Sequence, residues 1–95
     1  MTGERDAEHV EHIALERVGS RSRVRVAGSF DGRAREEFLA AVTAASGEGA
    51  RVDIDLHGLE FIDSVGLSSV LVADRVVSDA GGRLRVLLPD TGSVR

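Results

Sequence analysis

In the run EFIDSVGLSSVL, residues 60–71, an Asp, a Ser and a Gly break an otherwise apolar stretch at positions 63, 64 and 66. A serine hydroxyl becomes a nucleophile only beside a base, yet Ser64 sits in no GxSxG elbow and no histidine is placed by the sequence to activate it. No Walker-type phosphate loop is present. His9 and His12, with Glu8 and Glu11, have the residue types of a metal site. At a strand start, residues three apart point to different faces, so this group reads as a solvated, charged terminus and no metal is expected. His57 stands alone between a strand and a loop and reads as a hydrogen-bonded loop residue. Neither catalysis nor a cofactor is expected.

The other use of these residues is conformational. Ser64 directly precedes the apolar-periodic run that begins at Val65, which is where an N-cap belongs, and Ser is among the best acceptors for the free amides of a helix start. Asp63 and Ser64 are then capping groups. Gly66, in the first turn, costs about 1 kcal/mol relative to Ala. Its lack of a side chain implies close approach by another backbone, supplied by a partner or by the adjoining loop.

The elements around this point follow from periodicity. His9–Arg17 carries Ile13 and Leu15 at strand spacing, and Arg23–Ala27 alternates valines with arginines, so the two form a hairpin through VGSRS. GSFDG, 28–32, reads as a turn cluster. Arg33 to about Ser46 is helical, with Phe38, Leu39, Val42 and Ala45 on one face and GEG at its end. Residues 52–56, VDIDL, alternate again, with Asp53 and Asp55 pointing away from the core. A helix from Val65 to Asp79 stops at Gly81-Gly82, and a last strand spans Arg83–Leu88. The order β-β-α-β-α-β predicts an α/β domain: a mixed β-sheet with its helices packed on one face.

At 100° per residue, the second helix divides into a face of Leu67, Val70, Leu71 and Val77, assigned to the sheet, and an opposite stripe of Val65, Val72 and Val76. An exposed apolar stripe marks an interaction surface, for a partner or for a second copy of the chain in a homodimer. Asp74 falls in the middle of the sheet-facing side and so must reach solvent, accept hydrogen bonds or pair with Arg75, Arg83 or Arg85.

The chain has 95 residues, a net charge of -4 and a pI near 5.3. It forms one small domain with little room for a deep cavity. The acidic balance argues against direct binding to nucleic acid or an anionic membrane, and favours a protein or small-molecule partner. All basic residues are arginine and there is no cysteine, which excludes disulfides and suits a reducing cytoplasm. Residues 1–8 carry alternating charge without an apolar core, so they read as a flexible start, not a signal peptide. No apolar run approaches the ~20 residues of a membrane span.

Taken together, LHGLEFIDSVGLSSVL at 56–71 closely resembles the signature of the STAS domain of bacterial anti-sigma factor antagonists. RVRVAGSFD resembles that family's second strand and Gly-x-x-Asp turn, with Gly28 and Asp31 as matches. The order of elements agrees from residue 9 to about 90. The resemblance implies a STAS domain over 9–95 that binds a cognate anti-sigma factor, a serine kinase with an ATP-binding fold, and so frees a sigma factor in the bacterial cytoplasm. It implies phosphorylation of Ser64 by that kinase, reversal by a phosphatase, and a partner face holding Asp31, Asp63 and Ser64. With Val65, Gly66, Ser68, Val72 and Val76 these form the candidate partner-binding set.

A phosphoryl group at a helix N-terminus meets free amides and a favourable dipole, so phosphorylation should act on the complex and leave the domain folded. Two departures stand beside the resemblance. Ser29 replaces an acid common in the family's turn, and the chain lacks the family's final helix, strand and helix, a C-terminally short form. A rival reading keeps the fold but makes it a phosphorylation-independent STAS scaffold or a transporter-regulating subunit.

Overall fold

The computed structural model describes residues 11–89, with Glu11 and His12 described by backbone alone. Glu8 and His9, read above as part of a solvated charged terminus, and the expected flexible start lie outside that range. Strand β1 (Glu11–Val18) turns through Gly19, at φ 64°, into β2 (Arg21–Phe30), and the two pair antiparallel from Glu11↔Gly28 to Val18↔Arg21. A short 3-10 turn (Gly32–Ala34) leads into α1 (Arg35–Ala45), then β3 (Arg51–Asp55), β4 (Leu59–Ile62), α2 (Ser64–Asp79) and β5 (Arg83–Leu87).

The sheet order is β1-β2-β3-β5, with β4 also paired to β2. Both β2/β3 and β3/β5 are parallel and are joined by helical crossovers. Successive crossovers moving the same way across a sheet place their helices on one side, because each is right-handed. The mixed α/β sheet with helices on one face is therefore the observed fold. Val24, Val26, Val52 and Ile54 point to that side and meet Phe38, Val42, Val70, Ala73 and Val77 from the helices, all with 9% exposure or less.

β4 is an element that hydrophobic alternation does not reveal. Its four residues, LEFI, run from buried through exposed to half-buried. It exists because β2 is ten residues long and offers two pairing sites in tandem on one side. Ser22–Arg25 pair with β3, and Gly28–Phe30 pair with β4 after a register shift at Gly28/Ser29. Gly28 takes φ 81° at this irregularity, and its N–H donates to the Gly58 carbonyl at 3.0 Å. GSFDG is thus strand through Phe30, and the chain turns only at Asp31.

Among the described residues no helix covers the other face of the sheet, and there Asp53 and Asp55 do point away from the core. They do not reach solvent, however. Arg21 Nε contacts both Asp53 oxygens at 3.0 and 3.2 Å, and Arg85 donates from Nε and Nη2 at 3.2 and 2.9 Å, leaving Asp53 with 0% exposure. Asp55 faces Arg23 and Arg25, and its Oδ1 takes the His57 N–H at 3.0 Å and lies 2.8 Å from His57 Nδ1. Burial by itself raises the pKa of Asp53, but hydrogen bonds from Arg85 and Arg21 outweigh it and hold the carboxyl below its ordinary 3.8. Asp55 is likewise lowered, burial being overcome by the His57 hydrogen bonds.

A carboxyl whose folded pKa lies below its unfolded one stabilises the fold above the unfolded value, and that contribution disappears as pH falls through the folded one. Urea unfolding should therefore show a plateau through neutral pH and a decline beginning near the ordinary value of 3.8. Asp53→Ala should lower stability at pH 7 by about 2–3 kcal/mol, toward the low end for a broken buried pair because its arginines stay partly solvated. It should also flatten the acid limb. An unchanged midpoint in this variant would show that the arginine cluster does not hold the sheet.

Candidate partner-binding site

The end of β2 and the end of β4 lie side by side and present two turns together. The Asp63 N–H donates to the Phe30 carbonyl at 3.3 Å, so α2 starts beside the last residue of β2. Gly66 is buried there. A Cβ at this position would collide with the Phe30 carbonyl oxygen and touch Ile62 Cγ1 at 3.0 Å. The close backbone implied by Gly66 is thus the chain's own, from β2, and Gly66 lies beneath the surface that Ser64 presents.

The helix start is capped by Asp63, not by Ser64. Asp63 is extended (φ −104°), and its Oδ1 accepts the Gly66 N–H at 2.8 Å, while its carbonyl accepts the Leu67 N–H at 2.9 Å. Ser64 is the first helical residue. Asp can reach the third amide as well as Ser can, and the cap position fell one residue earlier than the apolar run suggests. Ser64 is consequently released from capping. It is exposed, and no hydrogen bond within the described residues engages its hydroxyl.

The adjacent turn belongs to Asp31, which caps the 3-10 turn by accepting the Arg33 N–H at 3.0 Å. Arg33 Nη2 also donates to Asp31 Oδ2 at 2.8 Å. This guanidinium contact, more than the modest burial that opposes it, holds the Asp31 carboxyl below 3.8 and keeps it ionised at neutral pH. Gly32 brings the two turns together: a Cβ on it would lie 3.6 Å from Val65 Cγ1. Further along, Arg35 Nη1 donates to the buried Ser69 Oγ at 3.1 Å, and Ser69 donates to the Val65 carbonyl at 2.7 Å, tying α1 to the first turn of α2. Neither Arg35 nor Ser69 stands out in the sequence, since each looks like an ordinary helix-surface residue.

The faces of α2 are rotated by about 70° from those the apolar residues define at 100° per residue. The buried side is Gly66, Ser69, Val70, Ala73 and Val77. Leu67 and Leu71, assigned to the sheet by size, are 58% and 69% exposed. Val72 and Val76 are half-buried, and Val76 packs against the core. Small residues let α2 sit close to the sheet and to α1, so the helix turns its small side inward. Asp74 accordingly lies exposed, and the expected need for an internal partner disappears. Ser64, Leu67, Ser68 and Leu71 fall at i, i+3, i+4 and i+7 on one outward face. Val65, 40% exposed, borders the Asp31 turn.

The frame is thus a mixed α/β sheet whose second helix opens on an exposed serine. A family model described as "Mlab, STAS domain" matches residues 13–91, and the chain belongs to the STAS family. Solved structures of similar fold include SpoIIAA, an anti-sigma factor antagonist, in its unphosphorylated form, at 26% identity and a TM-score of 0.66, covering 83% of this chain and 74% of that one. An anti-sigma factor antagonist from Mycobacterium paratuberculosis aligns at 24% identity and a TM-score of 0.69, covering 82% and 67%. Mglu aligns at 24% identity and a TM-score of 0.67 over 82% of this chain, which spans only 20% of that protein. No curated protein matches the chain.

Two substitutions separate the roles in the first turn. Gly66→Ala should destabilise by about 2 kcal/mol in denaturant unfolding, although Ala is the better helix former, because its Cβ overpacks against the Phe30 carbonyl. Asp63→Ala should lose about 1 kcal/mol as a cap. Ser64→Ala should leave the midpoint unchanged, and a loss as large as that of Asp63→Ala would return the cap to Ser64.

Proposed function

We propose that this domain is an anti-sigma factor antagonist working in the cytoplasm. It binds an anti-sigma factor that is a serine kinase, thereby freeing a sigma factor, and phosphorylation of Ser64 by that kinase switches binding off until a phosphatase resets it. The observation that carries this reading is the exposed Ser64 hydroxyl at the first position of α2, released from capping by Asp63 and flanked by exposed Leu67 and Leu71. The reading makes the chain a binding module with no catalysis of its own. The family membership and the anti-sigma factor antagonists of like fold support it.

Chemistry favours a switch that acts on the surface. A phosphate on Ser64 would sit over the free amides of the first turn and be accommodated by the domain. Asp31 and Asp63 would add to its negative field, so a partner surface bearing an acid, or one closed too tightly to hydrate a phosphate, would be repelled. Leu67, Ser68 and Leu71 supply the docking face, with Val65, Asp31 and Asp63 at its rim. Val72 and Val76 support that face from their half-buried flank.

The decisive experiment incubates the protein with candidate kinase-type anti-sigma factors and ATP, comparing wild type with Ser64→Ala. Wild type should gain one phosphate by mass spectrometry, and its affinity should fall at least about tenfold, whereas Ser64→Ala should stay unmodified and bound. Leu67→Ala and Leu71→Ala should each weaken the complex by about 1–2 kcal/mol. No phosphate on Ser64 and no complex with any of these kinases would sink the reading. A complex that forms but ignores ATP would favour the phosphorylation-independent scaffold.

A further inference from the structure

At the opposite end of the sheet from Ser64 the strands begin, and there the helix-free face is dominated by arginine. Arg51 of β3 and Arg83 of β5 are direct partners in the parallel ladder. Like charges so placed destabilise a sheet, and neither arginine has an ion pair or hydrogen bond to any described residue. Their neighbours differ: Arg21 and Arg85 bind Asp53, and Arg25 binds Glu16 at 3.0 Å. Among the described residues of this face, six arginines of β2, β3 and β5 stand against Glu16, Asp53 and Asp55. A domain of net charge -4 thus gathers a positive excess in one place.

The unpaired arginines front a cavity of about 470 Å³ lined by Arg21, Arg51 and Arg83 and by the backbone of Gly49, Ala50, Gly81 and Gly82. The two loops that form it are tied to each other, Gly49 N–H to the Gly81 carbonyl at 2.9 Å and Arg83 N–H to the Ala50 carbonyl at 2.8 Å. The floor is therefore preformed, and recognition falls to the guanidiniums. Glu48 approaches this rim; its carboxylate packs against Gly81, within 2.5 Å of where a Cβ would stand, and pairs with neither Arg51 nor Arg83.

We propose that this cavity is an anion site for a small soluble phosphate monoester. Three guanidiniums around one cavity match a multi-oxygen dianion better than a carboxylate, which offers two oxygens and a single charge. The cavity, open to solvent on one side, has room for a phosphate carrying a small organic group. The site is independent of the Ser64 switch, since β2, ten residues long, separates the two by about 30 Å.

The test titrates the full chain with inorganic phosphate and with glycerol 3-phosphate at constant ionic strength, following backbone amides and arginine Nε–Hε groups by NMR. Shifts should be saturable and confined to Arg21, residues 47–51 and 81–83. Arg51→Gln or Arg83→Gln should weaken binding about tenfold, and Glu48→Gln should tighten it about two- to threefold. Arg25→Gln should bind as wild type does. The double variant Arg51→Gln/Arg83→Gln should fold with an equal or higher Tm, because it relieves repulsion and removes no internal contact. An equal response to sodium chloride, undiminished affinity in the folded double variant, or binding to phosphatidic-acid vesicles without binding to either soluble phosphate would overturn the proposal.

Discussion

The position of the candidate site depends on one residue, Phe30, which holds both helices by different groups. Its carbonyl accepts the Asp63 N–H and sits against Gly66, fixing the start of α2. Its ring, fully buried, packs against Phe38 of α1 with centroids 4.8 Å apart and planes inclined at 58°. The last residue of one strand therefore sets where both helices lie. Because backbone meets backbone at Gly66, α2 has no side chain there to rearrange. The outer surface of α2 is thereby held at a fixed place relative to the end of β2.

The two sides of the sheet are closed by different physics. The helix side is closed by apolar packing. On the other side no described element forms a second layer, and arginine stems and guanidiniums from β2 and β5 cover the two aspartates of β3. Each carboxylate is buried only because it is paired, and breaking one partner would leave a charge with poor access to water. This lattice lets a small domain use a single helical layer. At its outer end the lattice has arginines left over, and there the face turns from self-sealing to receptive.

Alternation made β1, β2, β3 and β5 legible, because β2 and β3 bury one face while Ile13, Leu84 and Val86 of the outer strands pack against the core, and Gly-rich stops marked both helices. β4 was not legible, since LEFI has no period and owes its existence to unused pairing groups on a distant strand. The orientation of α2 was misread because size stood in for burial: Leu67 and Leu71 outweigh Gly66, Ser69 and Ala73 on any hydropathy count, but only small residues fit under the helix. The misplacement of Asp74 followed from the same rotation. At the site, Ser64 and its neighbour Asp63 were evident from residue type, but their division of labour was not, because Asp and Ser are both good caps and only the geometry at Gly66 N distinguishes them. The burial of Asp53 was hidden for a related reason: its partners come from residues 32 positions away on either side.

Strand β2 touches β1 along one edge and both β3 and β4 along the other. Among the described strands, β5 pairs with β3 alone. β2 is thus the hub of the sheet, in contact with β1, β3 and β4 and with α1. The domain should accordingly behave as a single cooperative unit, with the amides of β2 that face its neighbours among the slowest to exchange with solvent. A hub strand also sets the order of assembly, since the local β1–β2 hairpin can form early while both parallel pairings must wait for long loops to close.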